Sequence, residues 1–533
     1  MIAATRSRGK PNGNPYHGQG GAVLKLPAAG FDRWLLAGIG LLVVAGLSLA
    51  LRPDSTVFLK PLSEDGYYSL AVARNIAAGH GITIDGATPT NGFQPLLTFI
   101  QAGLFAIARG SDLLALRFVL LFYWLLYLGT AAMLGWIASE ATSEAKSTRE
   151  GERGRRLTAA LSTALLYLGA SYLFLHHFNG LETGLLMLLL AAAWRFHQSG
   201  RAESRMGLAL FGGLLGLAVL ARIDASFVVL AACLWELYRS RDRGLIVALA
   251  RPCMIGISAL AVSSPWWIYN VVGFGSIMPI SGTATQAWAL DGFRLGWFLW
   301  GLFMGAFPWF FGGECEGGWL NLLRLPIYIA ALWVLWRVYR RMPPATRDFA
   351  IVLTAAMVAL GLWYWLSSYA FWFYSRYLAP AALPVTVGLG LGLASFIRRQ
   401  PRAVMGAVPL AAFPVLALAV LAWFGLGVYG NMMFWDQVQL VESLVPDSDT
   451  VAAGQAGTLN FFRPHVVNMD GKVNPEVFAY RDHLWDYLAQ KKIYWFVDWP
   501  WYVQKALGTD PAAHGWKQVG SRDNFLLYRR DQP

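Results

Sequence analysis

Repeated apolar runs of roughly 20 residues, separated by short polar or basic segments, dominate the chain. A helix of about 20 apolar residues crosses the hydrocarbon core of a bilayer. Residues 113–137 and 245–262 are clear examples of such runs. Only 14% of the 533 residues are charged, whereas soluble domains carry roughly 25%. The pattern predicts an α-helical polytopic membrane protein.

Basic residues set the predicted orientation. They precede the first apolar run at residue 34 and recur in short segments such as 139–156, which places both on the cytoplasmic side. Alternating the remaining runs gives about 11 transmembrane helices, with the N-terminus inside and the C-terminus outside. The count requires the apolar runs 95–108 and 295–311 to be juxtamembrane or re-entrant helices that do not cross the membrane. Because these loops account for the net charge of +12, we expect no nucleic-acid partner.

Composition divides the chain into three parts. Residues 1–33 are expected to form a disordered cytoplasmic tail, residues 34–429 the transmembrane domain, and residues 430–533 a soluble extracytoplasmic α/β domain. The first outer loop of the transmembrane domain covers residues 52–112. In the C-terminal part the patterns predict helices at 435–444 and 475–491, and short strands at 450–453, 466–469, 493–498, 516–519 and 525–528.

Two adjacent carboxylates, Glu64 and Asp65, follow the first apolar run. Carboxylates near the end of a membrane helix are costly to hold there and are often functional. The alternative is an ordinary helix start, with Ser63 as the N-cap and both acids in the first turn. Neighbouring carboxylates raise each other's pKa, which suits a general base that works near neutral pH. Because chain neighbours point in different directions on a helix, we expect only one of the pair to be the base.

Further polar residues gather on the same predicted side of the membrane, whereas the cytoplasmic loops hold mostly Arg and Lys. This one-sided pattern favours a cavity at the outer membrane surface. The candidate donor-binding or acceptor-binding residues are Tyr68, Arg74, Asn91, His176, His177, Asn179, Glu182, Arg222, Asp224, Arg376 and Tyr377.

Several of these candidates also have a purely structural interpretation. Asn179 and Glu182 share a face if a helix begins there, and an acidic first turn is favourable in any helix. Arg222 and Asp224 are close enough in sequence to pair with each other. Arg376 stands where a snorkelling anchor is common. Arginine nevertheless binds phosphate through bidentate hydrogen bonds, so a role at an anionic substrate stays open.

Metal and disulfide chemistry are not indicated by the sequence. The adjacent His176 and His177 lack further ligands at the spacing of known zinc motifs. The three cysteines form neither a disulfide framework nor a metal motif. We therefore expect no metal site and no required cofactor.

The acidic-pair region resembles the GT-C superfamily of membrane glycosyltransferases. It is similar to bacterial members such as protein O-mannosyltransferases, the aminoarabinose transferase of lipid A and mycobacterial-type arabinofuranosyltransferases. The resemblance covers the whole chain in layout but only short motifs in residues. These motifs are EDGYYSLAVARNIAAGHG at 64–81, NGFQPLL at 91–97, NGLET at 179–183, ARIDA at 221–225, SRYLAP at 375–380 and VVNMDGKVN at 466–474.

The resemblance implies an inverting glycosyltransferase that uses a polyprenyl-phosphate sugar as donor. The sugar would be arabinofuranose or another pentose or hexose, and the acceptor a glycan, lipid or protein at the outer face of the membrane. It implies catalysis by Glu64 and Asp65, and binding of the donor phosphate by Arg222 and Arg376. In relatives the first position of the pair is the usual candidate for the base. Many relatives have Asp there, whereas this chain has the longer Glu64, so either member of the pair stays a candidate base. Some relatives hold a divalent cation, although nothing in this sequence demands one.

A multi-span transporter or lipid flippase is the main alternative. It predicts internal repeats and broken helices with ionisable residues near the membrane midplane. The sequence has no clear internal repeat, and its polar residues lie at the ends of the apolar runs. A structural protein whose C-terminal part binds a partner would leave the one-sided polar pattern without a role. The transferase is therefore the preferred prediction.

Overall fold

The computed structural model describes residue 40 and residues 43–142, 149–287, 295–309, 318–367, 374–399 and 432–531. The chain divides into two compact units, Met1–Ala45 and Gly46–Pro533. The described residues of the first unit are helical, and the second unit contains the candidate site. The predicted tail 1–33 and a predicted last span at 403–428 lie outside the described residues.

Helices make up most of the described chain between residues 54 and 399. Their bounds are Asp54–Leu59, Glu64–Ala77, Pro95–Ile107, Asp112–Glu140, Arg149–Leu168, Ser171–Phe178, Thr183–Gln198, Arg205–Ala221, Ser226–Ser240, Leu245–Phe274, Ile280–Ala287, Leu295–Ala306, Gly318–Tyr339, Pro344–Leu366, Tyr374–Tyr377 and Ala382–Arg399. Long neighbours pack side by side, as Asp112–Glu140 does along Arg149–Leu168 and Arg205–Ala221 does along Leu245–Phe274. Apolar residues around much of each helix allow this packing.

Within the described residues, four helices are long and apolar enough to cross a membrane. They are Asp112–Glu140, Leu245–Phe274, Pro344–Leu366 and Ala379–Ile397. A fifth crossing results if Gly151–Leu168 and Tyr172–Phe178, which are bent by 70°, count as one span. The chain is therefore a multi-pass membrane protein, while the predicted number of about 11 spans is not established by these helices.

Two helices can be compared in length with the apolar runs that predicted them. The helix Leu245–Phe274 continues well past residue 262, where the sequence prediction ended it, and contains Pro252 and Pro265. Prolines are tolerated inside membrane helices because neighbouring groups satisfy the freed carbonyls. The run 95–108 forms the 13-residue helix Pro95–Ile107, which is shorter than the roughly 20 residues that a crossing needs.

The C-terminal α/β region, residues 432–531, contains a five-stranded sheet. The strands are β1 Val451–Ala453, β2 Val466–Asn468, β3 Trp495–Asp498, β4 Trp516–Arg522 and β5 Phe525–Arg530. Their order in the sheet is β2-β1-β3-β5-β4. Strand β1 is parallel to β2 and β3, whereas β3, β5 and β4 pair antiparallel. The helices are Met432–Leu444, Gly457–Phe462, Pro475–Phe478, Leu484–Gln490 and Pro500–Leu507. The predicted strands and the predicted helix at 435–444 are confirmed.

The predicted helix at 475–491 is wrong as a single element. It is divided into Pro475–Phe478 and Leu484–Gln490. His483, between them, has φ −142° and ψ 56°, which lies outside the helical region. The short helices Gly457–Phe462 and Pro500–Leu507 were not predicted.

One edge of the sheet meets the first outer loop. The carboxyl ends of parallel neighbours lie at the same edge of a sheet, so the turns 454–458 after β1 and 470–472 after β2 come together with Asp498 of β3. The helix Glu64–Ala77 packs against Gly457–Phe462 at this edge. The fold therefore brings the acidic pair to the C-terminal α/β region.

Candidate active site

The helix Glu64–Ala77 begins at a close backbone contact. Ser63 is its N-cap, with Oγ accepting a hydrogen bond from the Gly66 N–H at 3.3 Å and donating one to the Asn179 carbonyl at 2.7 Å. A Cβ on Gly66 would lie 2.3 Å from that carbonyl oxygen, so the approach requires glycine. The predicted N-cap is confirmed, and the acidic pair lies beside the turn at Asn179.

Glu64 points into the C-terminal α/β region and is only 6% exposed. Its carboxylate accepts hydrogen bonds from the N–H groups of Gly457 at 2.5 Å and Thr458 at 2.9 Å, and from the Thr458 hydroxyl. The carboxylate thus satisfies the first N–H groups of the helix Gly457–Phe462. Burial raises the pKa of Glu64 to about 7, although these hydrogen bonds oppose the rise. Glu64 therefore fastens the start of its own helix to the C-terminal region.

Asp65 is the more open carboxylate, with 26% of its side chain exposed. Arg376 Nη1 lies 3.6 Å from its Oδ2, and Lys472 Nζ lies 3.6 Å from its Oδ1. Burial acts to raise the pKa of Asp65, but Lys472 and Arg376 outweigh it, so the pKa lies below its usual value. The expectation that both members of the pair have raised pKa values is therefore wrong for Asp65. Asp65 is ionised at neutral pH and lies between two cations.

Lys472 reaches the acidic pair from the turn after β2. Its ammonium lies 3.3 Å from Asp470 Oδ2 as well as 3.6 Å from Asp65. The Lys472 N–H donates to Asp470 Oδ1 at 2.8 Å, and a Cβ on Gly92 would lie 1.9 Å from the Lys472 carbonyl oxygen. Burial acts to lower the pKa of Lys472, but Asp65 and Asp470 raise it above its usual value. The backbone at Lys472 is thus fixed, and its side chain carries a charge.

Arg222 is bound to two carboxylates at neighbouring helix ends. Its Nη1 donates to Glu182 Oε1 and its Nε donates to Asp224 Oδ2, each at 2.6 Å. The guanidinium also lies over the Tyr377 ring, 4.0 Å from the ring centroid. The pairing of Arg222 with Asp224 is present, and Tyr377 connects this group to the adjacent Arg376.

These residues form one group, which we call the acidic-pair cluster. Its members are Asp65, Glu182, Arg222, Asp224, Arg376, Asp470 and Lys472. Its open side consists of Asp65, Lys472 and Arg376, whose side chains are 26%, 23% and 14% exposed. A carboxylate there can take a proton from a hydroxyl group, and the two cations can bind an anion. The arrangement therefore places a carboxylate that can accept a proton beside two positive charges.

The two predicted histidines have different surroundings. His177 is fully buried, and its Nδ1 lies 2.8 Å from the Leu173 carbonyl while its Nε2 lies 3.1 Å from the Tyr167 hydroxyl. His176 packs edge-on against Tyr172, and within the described residues its buried Nε2 has no hydrogen-bond partner. His177 is a core residue, whereas His176 retains a ring nitrogen for a hydrogen bond to a ligand.

The condition for a shared helix face of Asn179 and Glu182 is not met, because no described helix begins before Asn179 and includes both residues. Asn179 is the C-cap of the helix Ser171–Phe178, and Glu182 is the N-cap of Thr183–Gln198. Gly180, with φ of +94°, turns the chain between them, so no continuous helix carries both residues. Glu182 instead reaches Arg222, and Asn179 contributes its backbone to the contact with Ser63.

Tyr68 lies one helical turn after Glu64 and belongs to the same interface. Its buried hydroxyl donates to the Gly454 carbonyl at 3.2 Å and accepts from the Ala456 N–H at 3.1 Å and the Asn468 amide at 3.2 Å. Tyr68 therefore holds the turn 454–458 that binds Glu64.

Arg74 lies away from the open side of the cluster, and Asn91 is used in a buried hydrogen bond. Arg74 follows Asp65 on the same helix, about 14 Å along the axis, and donates to the Phe461 carbonyl at 2.5 Å. The Asn91 amide donates to Asn270 Oδ1 at 3.2 Å and is buried. The structure does not bring Arg74 to Asp65, and the Asn91 amide is already paired with Asn270.

Sequence reasoning did not assign the residues that meet the acidic pair from the C-terminal region. Gly457 is 393 residues from Glu64, and Lys472 is farther still. A signal existed, because GQAGT follows one predicted strand and DGK follows its predicted neighbour. Turns after parallel neighbouring strands meet at one sheet edge, where ligands commonly bind.

A metal site is not evident in the described part of the chain. No group of three His, Cys, Asp or Glu side chains there is placed to hold a metal ion. The expectation of a metal-independent reaction stays a prediction.

Two crystal structures of ArnT from Cupriavidus metallidurans have a similar fold. The apo structure matches with a TM-score of 0.52 and 14% sequence identity over 94% of this chain and 98% of that one. The structure bound to undecaprenyl phosphate matches with a TM-score of 0.55 and 14% identity, over 93% of this chain and 98% of that one. No family model matches the chain, and no curated protein matches it. The similarity establishes a shared fold along nearly the full length of both chains.

Proposed function

We propose that this chain, which has the GT-C membrane fold of ArnT, is an inverting glycosyltransferase. It takes a sugar from a polyprenyl-phosphate donor and moves it to a glycan, lipid or protein acceptor. One of the ArnT structures contains undecaprenyl phosphate, which supports a polyprenyl-phosphate lipid as the donor. The apolar spans support the same choice because they place the chain in the bilayer that would hold such a lipid.

The observation that carries the proposal is the position of Asp65. Its ionised carboxylate faces the open side of the acidic-pair cluster, with Arg376 and Lys472 each 3.6 Å away. Glycosyl transfer from a phosphate needs a base for the incoming hydroxyl and positive charge for the departing phosphate. Both requirements are met within one group of side chains.

The proposed reaction is a single displacement. The acceptor oxygen attacks the anomeric carbon from the face opposite the phosphate, and the new C–O bond forms while the bond from that carbon to the phosphate oxygen breaks. The acceptor proton passes to the Asp65 carboxylate. The electron pair of the broken bond leaves with the polyprenyl phosphate, whose charge the neighbouring cations stabilise. Attack from the opposite face inverts the anomeric configuration.

Within the acidic pair, Asp65 is the base and Glu64 is a positioning residue. Glu64 is buried, and its oxygens accept hydrogen bonds from Gly457 and Thr458. An acceptor hydroxyl would have to displace those donors to reach it. Asp65 faces Arg376 and Lys472, which in their charged forms cannot accept a proton. Of these three groups, only Asp65 can therefore take the proton of a substrate hydroxyl.

The finer assignments follow the sequence. The reaction takes place at the outer face of the bacterial cytoplasmic membrane, with the C-terminal α/β region on the extracytoplasmic side, because the basic loops belong inside. The sugar is arabinofuranose or another pentose or hexose, and the product belongs to the cell envelope. His176 and Tyr377 are the proposed sugar or acceptor contacts nearest to Arg376.

A transfer assay tests the proposal. The full chain in nanodiscs receives radiolabelled polyprenyl-phosphate pentoses and hexoses together with envelope glycans, lipids and peptides as acceptors. The same sugars as nucleotide diphosphates serve as controls for donor type. We expect transfer from at least one polyprenyl-phosphate sugar, with inversion at the anomeric carbon, and none from the nucleotide sugars. A folded chain that neither binds nor turns over any lipid-linked donor contradicts the proposal and favours transport.

A further inference from the structure

Lys472 is a residue of the C-terminal α/β region whose ammonium reaches the acidic pair. Arg376 reaches the same carboxylate from the short helix Tyr374–Tyr377, which belongs to the membrane part of the chain. Each cation is 3.6 Å from a different oxygen of Asp65. Two distant segments thus place one positive charge each on the open side of the cluster.

We propose that Lys472 and Arg376 together bind the phosphate of the lipid-linked donor, so that the C-terminal α/β region completes the donor site. The inference rests on the proposed glycosyl transfer and deepens it by naming the phosphate ligands. Arginine offers paired N–H donors in a planar fork, and lysine offers a mobile point charge with three donors. Together they can bind the non-bridging oxygens of one phosphate.

Arg222, the other arginine of the cluster, is less suited to this task. Its hydrogen bonds to Glu182 and Asp224 are 2.6 Å long, and its side chain is buried. A phosphate would have to break both bonds and displace two carboxylates. The ion pairs that Arg376 and Lys472 make with Asp65 are longer than direct hydrogen bonds of about 2.7–3.2 Å, and both side chains are more exposed.

The Lys472 ammonium can move to a phosphate without leaving Asp470 unsatisfied. Asp470 also accepts a hydrogen bond from the Lys472 N–H at 2.8 Å, and the Tyr68 hydroxyl lies 3.4 Å from its Oδ2. Gly92 fixes the Lys472 backbone, since it packs directly on the Lys472 carbonyl. Only the flexible side chain of Lys472 has to move, and the interface between the two parts of the chain stays intact.

Phosphate binding at these cations also acts on the base. In the structure, Lys472 and Arg376 stabilise the ionised form of Asp65. A phosphate that shares them weakens this stabilisation, which makes the carboxylate a stronger acceptor for the incoming proton. Donor binding then prepares Asp65 for the acceptor hydroxyl.

The test is a binding titration with the full chain in nanodiscs. The probes are undecaprenyl phosphate, undecaprenol as the same lipid without its phosphate, and inorganic phosphate as a free anion. Lys472→Met is expected to weaken binding of undecaprenyl phosphate by about 10-fold to 100-fold. Binding of undecaprenol stays unchanged, and Lys472→Arg retains most of the affinity for the phosphate lipid. Arg376→Met is expected to cause a loss of similar size.

The matched control is Lys491→Met. Lys491 belongs to the same region and pairs with Glu476 at its surface, so its loss leaves phosphate-lipid binding unchanged. Melting temperatures establish that each variant is folded. If Lys472→Met does not fold because Asp470 lacks a counter-charge, the double variant Asp470→Asn/Lys472→Met removes both charges and takes its place.

Three outcomes overturn different parts of the account. Equal affinity of wild type and the folded Lys472 variant for undecaprenyl phosphate overturns the inference. A wild-type chain that binds no undecaprenyl phosphate overturns the proposed function instead. Lys472-dependent binding of inorganic phosphate, without any preference for the lipid, overturns the lipid-linked donor and leaves a site for free phosphate.

Discussion

Two ionic clusters lie at opposite ends of the same helices, yet they are built differently. Arg222 of the acidic-pair cluster follows the 17-residue helix Arg205–Ala221, which is about 25 Å long. Glu203 precedes that helix and belongs to what we call the second ionic cluster. Its members are Glu203, Glu236, Arg239, Arg251 and Asp348.

The second ionic cluster consists mostly of residues that are near one another in sequence. Arg239 lies 3.1 Å from Glu203, and Arg251 lies 3.2 Å from Glu203 and hydrogen-bonds Glu236 as well. Apart from Asp348, its members lie between residues 203 and 251 and come from helices that follow one another along the chain. Such a network ties neighbouring helix ends together.

The acidic-pair cluster draws its members from residues 65 to 472, and the ion pairs of Asp65 within it are 3.6 Å long. Its cations come from separate segments and converge on one partly exposed carboxylate. The difference teaches that charge at a helix end does not by itself indicate a site. The convergence of two cations from distant segments on one partly exposed carboxylate is the more informative feature.

The largest expected effect is the loss of the base. Asp65→Asn keeps the shape of the side chain but removes its capacity to accept a proton, so transfer is expected to fall by about 10²–10⁴-fold. The measurement is kcat/KM for glycosyl transfer by the folded variant. Asp348→Asn is the matched control, since Asp348 makes a similar ion pair, 3.7 Å from Arg239, in the second ionic cluster. Equal losses in both variants would abolish the distinction between the clusters.

The next effect comes from a glycine that holds Lys472 in place. Gly92→Ala puts a Cβ 1.9 Å from the Lys472 carbonyl oxygen, so the turn carrying Lys472 has to shift. Because small displacements at a reacting centre cost up to about 100-fold in rate, transfer is expected to fall by about 10-fold to 100-fold. Gly103→Ala is the control, since nothing lies within 4 Å of its added Cβ. Full transfer activity in folded Gly92→Ala would show that the position of Lys472 is unimportant.

Breaking the second ionic cluster is expected to affect stability and not transfer. Glu236→Gln removes the charge that faces the mostly buried Arg251, which costs about 1–3 kcal/mol of unfolding free energy. Thermal unfolding in detergent measures the loss, and kcat per folded molecule stays at the wild-type value. Glu442→Gln, at an exposed carboxylate, is the neutral comparison. A fully stable Glu236→Gln variant without transfer activity would give the second cluster a catalytic role.

The smallest expected effect is a pH dependence from Glu64. Its pKa is raised to about 7 by burial, so the folded state favours the protonated form. The stabilisation is complete below the unfolded pKa of about 4.3 and is lost as pH rises through about 7. The wild-type melting temperature is therefore expected to fall between about pH 5 and pH 8, and less so in Glu64→Gln. Burial also raises the pKa of Asp498 to about 7. Asp498 therefore keeps part of the pH dependence of the melting temperature in both proteins. A steeper fall in Glu64→Gln than in wild type would contradict the role given to Glu64.

The fold could be predicted where local pattern decides it. The run 113–137 corresponds to the helix Asp112–Glu140, and the strands at the C-terminus have the expected places. Prediction failed where tertiary packing overrides a local signal, as at Pro265 inside the helix Leu245–Phe274. Local rules end a helix near a proline, but a membrane environment permits it to continue.

The candidate site could be predicted only in part for a similar reason. Two carboxylates at the end of an apolar run are visible in the sequence, so Glu64 and Asp65 could be identified. The different roles that we propose for them depend on Thr458 and Lys472, which reach them only through the tertiary fold. Polar residues such as Asn91 have the same sequence signature but are used in buried structural hydrogen bonds. Sequence pattern alone cannot separate these uses.

The most direct test of the account is a cryo-EM structure of the full chain with undecaprenyl phosphate bound in a nanodisc. The account predicts phosphate density between Lys472 and Arg376, beside Asp65, with the C-terminal α/β region still joined to Glu64. Phosphate density at Arg239 and Arg251, in the second ionic cluster, would contradict it.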